Sequence, residues 1–456
     1  MIDATTLRAR VHRSIAVVPV VAGLALVLAA AGAGRIAAPP DTTCDGKISG
    51  SNPTYISVWF HAGSGPERAT MREQVNAFNA RKGPVRVRLI VLPQTDYDKQ
   101  VAAAAANNTL PDLLDFDGPY LYNYAWSGKL KPLDSCISSA LRSDLLPSIR
   151  QQGTYAGRTW GIGTFDSGMA LYVRPSILKS IGARIPTGPS TAWTVDEFTS
   201  ILHRLQQAGY KHPLDISINF SVPPGVEWNT YGFAPAVWSA GGDLIDRATY
   251  RTVEGWLNGP PAVKALTIFQ QWEKAGYIDP NKDDAAFDSG RSPISWRGHW
   301  VFDEYTKAHP GDVALAPLPN FGKGTATGMG SWQWGITSNA TDGDAAWSFL
   351  SYLLQPREIL RMTNADGAIP ARKSAIRLST RFAVGDPEHL FAEQLEDGVA
   401  RPRPQTPAYP VLTDAFSRAF AAIVVHGRPV KPTLDAAAAR VQRDLRAHRY
   451  YPTPAS

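Results

Sequence analysis

The chain is poor in the side chains that most metal and redox chemistry needs. Its 456 residues include two cysteines, five methionines and nine histidines. Cys44 and Cys136 form no CxxC pair, and no two histidines stand four apart, so metal ligation by a zinc-finger or HExxH arrangement is not supported. No GxGxxG follows a strand-like run, and there is neither a GxxxxGK[ST] loop nor a GxSxG elbow. The expectation is therefore no metal and no cofactor. Charge is sparse as well, at 19% of residues, and no block of Lys or Arg occurs. The formal net charge of +6 falls to +3 once Arg8, Arg10, Arg13, Arg35 and Asp3 of the first 38 residues are set aside. A mildly basic body without basic blocks excludes nucleic acid as the expected partner.

Apart from one segment, long apolar runs are missing too. Ser14–Gly34 (SIAVVPVVAGLALVLAAAGAG) follows three arginines and ends in small residues. A basic flank, an apolar stretch and small residues make an export signal. The run is also long enough to span a bilayer, so a retained anchor is the alternative. Export permits a disulfide between Cys44 and Cys136. Cys44 could instead carry a lipid, although Asp41-Thr42-Thr43 is a poor processing sequence.

What is abundant is aromatic surface: 13 Trp, 16 Tyr and 16 Phe. Much of the Trp lies beside Gly, Pro or polar residues, where flat amphipathic rings suit either a core or a flat ligand. Patterning in the body alternates. Tyr55–Phe60 and Val85–Leu92 read as strands, and Met71, Val75 and Phe78 recur at helical spacing between them. A helix over Asp96–Ala106 and a strand over Leu113–Phe116 follow. Thr159–Ile162 and Met169–Val173 read as strands. Thr194 with Glu197 three residues on predicts a capping box at the head of a helix to Ala208. Further elements are expected at Asp215–Asn219, Pro261–Ala275, Val313–Ala316, Trp334–Thr337 and Ala345–Leu354. This alternation predicts an α/β fold with largely parallel sheet.

Aromatic and polar residues interleave at the expected strand ends. Trp59-Phe60-His61 closes the first strand, and Asp115, Phe116 and Asp117 close the third. Glu227, Trp228 and Tyr231 follow a Pro-Pro-Gly turn. Two further ring-rich segments are Trp296-Arg297-Gly298-His299-Trp300 and Ser331-Trp332-Gln333-Trp334. In open α/β sheets ligands sit beyond the carboxyl ends of strands. Rings beside carboxylates suit a pyranose, with its apolar C–H faces and hydroxyl rim. Asp115 and Asp117 share one face of a strand, too close to hold a glycosidic bond between them as a hydrolase pair would. As hydroxyl acceptors they make better sense.

Read in order from about residue 55 to about 375, several segments resemble one family. They are YISVWFHAGSGPE, VRVRLIVLPQTDYDKQVAAAAANNTLPDLLDFD, AWSGKLKPLD, GTYAGRTWGIGTFDSGMALYVRPSILKSIG, TAWTVDEF, SWRGHWVF, VALAPLPNFGKG, GSWQWGIT and GAIPARKSA. The family is the extracytoplasmic substrate-binding proteins of carbohydrate ABC importers, the group containing maltose-binding protein. Gly161-Ile162-Gly163 lacks the Pro usual in that family, Val173-Arg174-Pro175 replaces its usual Asn and Lys, and the lipobox Cys is missing. The resemblance implies a two-lobed periplasmic-binding-protein fold with a hinge and an interlobe ligand cleft. On this reading residues 1–38 are the export signal or anchor and 39–53 a linker. Residues 54–134 with 318–361 form one lobe, and 135–317 with 362–456 the other. Crossings are expected near 133–145, 316–319 and 361–367. The resemblance further implies a non-enzymatic monomer that takes a carbohydrate ligand and docks on ABC permease subunits. Its ligand positions map to Trp300, Phe116, Asp117, Trp228, Tyr231, Ser331, Trp332, Arg372 and Tyr409, and less directly to Glu67, His61 and Asp166. Asp115, Glu227 and Trp296 join them from the strand-end pattern. The expected ligand is a neutral sugar, or an amino sugar whose ammonium pairs with Asp115, Asp117 or Glu227. The alternatives are a glycerol phosphate or glycerophosphodiester ligand, a secreted glycosidase, and a membrane-attached sensor or adhesin.

Overall fold

The computed structural model describes residues 43–49, 52–221, 225–330 and 332–453. The expected export segment and Ser331 lie outside these residues.

Eight strands build two separate four-stranded sheets: β1 (Thr54–His61), β2 (Val85–Leu92), β3 (Leu113–Asp117), β4 (Met169–Val173), β5 (Leu214–Asp215), β6 (Ile294–Gly298), β7 (Ala314–Ala316) and β8 (Trp332–Ile336). The first sheet has the order β8-β3-β1-β2 and the second β7-β4-β6-β5. The expected parallel character holds for β1 with β2 and β3, but β8 enters antiparallel to β3. In the second sheet only β5 runs parallel to its neighbour β6, while β4 is antiparallel to both β6 and β7. The largely parallel expectation therefore fails for half the molecule. Strand and helix periodicity carry no direction, and β8 returns to the first sheet only after the whole second sheet has been built.

Local chemistry explains the elements. In β1 the buried Ile56, Val58 and Phe60 alternate with more exposed residues, as a strand with one core-facing side requires. All five residues of β4 are buried, as in a strand covered on both faces. Helix α1 (Gly65–Ala80) starts on Ser64, whose Oγ accepts the Glu67 N–H while Glu67 Oε2 accepts the Ser64 N–H, a complete capping box. The box expected at Thr194 forms only in half. Thr194 caps α2 (Val195–Gln207), but the Glu197 carboxylate turns to Arg184, 2.7 Å away.

Two large cores follow the two sheets. The first joins Ile56, Val58, Leu113 and Ile336 to Phe349 and Leu350, and it also contains Leu133, Ile137, Leu145, Ile149, Ile162, Met362 and Ala371. The second joins Leu171, Val173 and Ile294 to Phe198, Phe233, Phe269 and Trp272, and it contains Leu318 and Phe321. A disulfide links Cys44 to Cys136, closing a loop across 92 positions and tying the start of the body to the first core. Both thiols are used, so the lipid alternative at Cys44 falls. Among the described residues no helix is long and apolar enough to cross a membrane.

Candidate functional site

A cavity of about 630 Å³ opens between residues of the two sheets. From the first sheet's side come His61 at the end of β1, Ser64 to Glu67 at the head of α1, Asp117 at the end of β3 and Trp332 at the start of β8. Trp332 pairs in register with Asp117, so the antiparallel entry of β8 puts an aromatic ring at the carboxyl ends of β1 and β3. The opposite side carries Glu227, Trp228 and Tyr231 from α3 (Glu227–Ser239), Arg297 from β6, and His299 and Trp300 just beyond it.

The rings form the apolar part. The His61 imidazole stacks on the Trp332 indole at 3.6 Å between centroids and 2° between planes. Across the cavity Trp300 meets Trp228 edge-on at 6.1 Å and Tyr231 at 6.1 Å. The Trp228 Nε1 donates to the Ile216 carbonyl at 3.3 Å, and the Tyr231 hydroxyl pairs with Ser167 Oγ at 2.8 Å, which fixes both rings. Trp300 has its position because residue 298 is Gly: a Cβ there would lie 2.1 Å from the indole.

His61 sits between two carboxylates, with Nε2 3.1 Å from Glu67 and Nδ1 bonded to Asp115. Burial pulls its pKa down, but Glu67 and Asp115 overcome this and raise it to about 10. Burial pushes the Asp115 carboxyl upward against the pull of His61. We place the positive charge on the imidazole, since both its nitrogens face carboxyl oxygens. Trp332 is thus backed by an imidazolium.

Arg403 spans the cavity's polar rim. Its Nη2 and Nη1 donate to the two Asp117 oxygens at 2.6 and 3.0 Å, and Nη1 also donates to Glu227 at 2.6 Å. The guanidinium lies 4.9 Å above the Tyr231 ring. Glu227 further accepts from Thr413 Oγ at 2.6 Å and from the Tyr409 hydroxyl. Burial raises the Glu227 pKa to about 7; Arg403 pulls it down and Asp117 pushes it up. Arg297 is paired with Asp284 at 2.8 Å, and its buried Nε has no partner among the described residues. Burial lowers the His299 pKa to about 4, so the ring is neutral. Its Nδ1 donates to the Asp366 carbonyl at 2.8 Å, which leaves Nε2 as an acceptor facing the cavity.

The expected site residues divide. Trp300, Trp228, Tyr231, Trp332, Asp117, Glu227, His61 and Glu67 all line the cavity. Phe116 does not: the pleat turns it away from its neighbours 115 and 117 into a core, where it meets Tyr124 at 5.5 Å. Asp115 is fully buried behind His61. Trp296 is fully buried against Phe233 and Phe269, with Nε1 donating to Gly232 at 2.9 Å. Tyr409 is buried and acts through Glu227. Asp166 is buried, its Oδ1 taking the Gly330 and Ser167 N–H groups at 3.0 and 2.8 Å. Arg372 is occupied outside the cavity, by Asp144 at 2.7 Å and the Leu354 carbonyl at 2.6 Å. The guanidiniums that do line the cavity, Arg297 and Arg403, are absent from the expected set, as are Phe220, His299 and Asp366. Arg297 was readable as the residue alternating with the core-facing Trp296 on one strand. Nothing in the stretch around Arg403 announces its role. Among the described residues, no group of three or more His, Cys, Asp or Glu could hold a metal ion.

In sequence, an uncharacterized lipoprotein in the oleD 5′ region of Streptomyces antibioticus is 21% identical over 339 residues, 68% of this chain and 68% of that protein. The GacH receptor of Streptomyces glaucescens, solved unliganded and with acarbose, superposes with a TM-score of 0.71 at 20% identity, covering 86% of this chain and 97% of that one. Maltose-bound MalE3 of T. maritima gives 0.71 at 22% identity, covering 86% and 100%. The two-lobed binding-protein fold is therefore shown. Residues 73–388, more than half of the chain, match the family model described as bacterial extracellular solute-binding protein, and the chain belongs to that family.

Proposed function

We propose that the protein captures a saccharide in this cavity, closes its lobes over it and presents the closed form to the permease subunits of an ATP-driven importer. The observation that carries the reading is the distribution of rings. Trp332 stands on one wall and Trp228, Tyr231 and Trp300 stand on the other. Stacking planes contributed by both sides let one flat ligand bridge them, and a ligand that bridges favours the closed state by its differential affinity. Carboxylates, a neutral His299 and the exposed amides of Gln94 and Asn364 supply hydroxyl partners. The cavity volume falls in the range of about 300–1,000 Å³ usual for small-molecule sites. Relatives of this fold solved with maltose and acarbose agree with a sugar ligand.

On this reading the lobes exchange chain where core membership changes, at about 165–169, 326–334 and 369–382, each later than the segments expected from sequence. The protein acts as a monomer, outside the cytoplasm, held or exported by its N-terminal segment, and returns its ligand unchanged. A glycerol phosphate ligand fits poorly, since both cavity arginines are already paired with carboxylates. A hydrolase fits poorly for a related reason: Asp117 and Glu227 share Arg403 and are not free to act as acid and base.

A thermal-shift panel of mono-, di- and oligosaccharides with glycerol phosphate tests this. A ligand at about 100 times its Kd adds about 2.7 kcal/mol to the folded state. A raised melting temperature with at least one saccharide is expected. A shift with glycerol phosphate alone, or saccharide cleavage on incubation, would overturn the reading.

A further inference from the structure

We infer that the saccharide carries a protonated amino group and that this ammonium docks on Asp366 beside His299; the inference rests on the saccharide reading of the cavity. Asp366 ends the helix α4 (Pro356–Asp366). The αL residue that stops this helix is Gly367, with φ at 72°, and it turns the chain so that Asp366 stays in the cavity lining. Asp366 is 4% exposed. Its Oδ1 accepts the Ala368 N–H at 2.9 Å, while Oδ2 has no partner among the described residues. A buried carboxyl oxygen without a partner is costly and marks a place where a donor is missing.

Charge decides which donor. Seven carboxyl groups line the cavity against two guanidiniums. The charge of both guanidiniums is matched, Arg403 by Asp117 and Glu227 and Arg297 by Asp284, although Arg297 Nε has no partner among the described residues. His61 is spent on Glu67 and Asp115. Arg381, the other cation near Asp366, is held by Asp303 at 2.6 Å and Glu388 at 3.3 Å. Asp366 is thus left facing Glu67 and a neutral His299 with no cation to match it. An anionic ligand would meet guanidiniums whose charge is already matched by carboxylates, and a neutral one would leave Asp366 un-ionised between burial and the Glu67 charge. An ammonium supplies the donor that Oδ2 lacks and the cation beside which Asp366 ionises, and such charge-assisted bonds are about twice as strong as neutral ones.

The test is calorimetric titration of the full chain with amino sugars, each paired with its hydroxyl isostere: glucosamine with glucose, galactosamine with galactose, and the β-1,4 glucosamine disaccharide with cellobiose. At least one pair should show the amine bound tenfold or more tighter than its isostere, equal to about 1.4 kcal/mol. Asp366→Asn should erase that preference. Should that variant not fold, the wild-type comparison decides alone. Saccharides that bind with no amine preference overturn this inference and leave the saccharide reading standing. A wild type that binds nothing in either column, including maltose and maltotriose, overturns both.

Discussion

Replacing Arg403 by Met keeps length and apolar volume but removes the guanidinium that holds Asp117 and Glu227 together. Their side chains are only 14% and 10% exposed, so water cannot take over the pairing. Breaking a buried ion pair by removing one partner costs about 3–5 kcal/mol, because the remaining charges stay buried and unpaired. With an unfolding entropy of roughly 2.1 cal/mol/K per residue over a body of about 400 residues, the melting temperature should fall by about 4–6 °C. The sign of the pH dependence is fixed by Glu227. Its folded-state pKa, already raised to about 7 with Arg403 in place, rises further without it. A carboxyl with a raised folded-state pKa destabilises the native state above that pKa, and this loss is relieved as pH falls towards the unfolded value near 4.3. The gap between wild type and Arg403→Met should therefore be larger at pH 8 than at pH 5.5. Denaturant unfolding at both pH values reads it directly. A variant within 1 kcal/mol of wild type at pH 8, or an equal gap at both pH values, would refute the reasoning.

Trp300→Ala should weaken saccharide binding at least tenfold with a smaller loss of stability than core Trp296→Ala; titration calorimetry beside a melting curve separates the two. His61, with its pKa raised to about 10, stabilises the fold fully below its unfolded value near 6.5 and loses that contribution as pH rises through 10. Stability of His61→Gln relative to wild type, measured from pH 6 to 10.5, should show the difference narrowing at the alkaline end. Reducing the Cys44–Cys136 disulfide, or replacing both residues by Ser, should cost up to roughly 4–5 kcal/mol by the loop-entropy argument for a closure of this length; a denaturation midpoint unchanged by reductant would contradict it. Burial and the Glu67 charge raise the Asp366 pKa in the free protein. Docking of an ammonium should therefore ionise it and release a proton to the buffer, seen as a binding enthalpy that changes with buffer ionisation enthalpy.

Local signals carried the elements well. β2, read as Val85–Leu92, has those bounds, β1 is one residue longer at each end than its reading, and α1 buries the Met71, Val75 and Phe78 whose spacing marked it. Hydrophobic period and capping act over a few residues, so a sequence states them openly. Strand direction does not, which is why the antiparallel β8 and the mixed second sheet escaped notice. Within the site the cavity rings were legible as Trp beside Gly, polar and charged residues, but the same setting also surrounds the buried Trp160 and Trp334, so it did not by itself separate site from core. Phe116 and Trp296 were misplaced for one shared reason. The pleat assigns alternate residues to opposite faces, and a motif read as a block loses that distinction. The same rule would have exchanged Trp296 for Arg297. Arg403 and Asp366 were not legible at all. Their roles depend on partners 286 and 299 positions away in sequence, Asp117 for one and Glu67 for the other.

The most direct test of the central claim is titration of wild type and Trp300→Ala with the saccharide that gives the largest thermal shift, followed by chromatography of the recovered ligand. One saccharide bound per chain, recovered unaltered, with affinity lost at least tenfold in Trp300→Ala, is the predicted result. Wild-type affinity in the Trp300→Ala variant would contradict the ring-lined cavity as the binding site, and a cleaved ligand would contradict capture without chemistry.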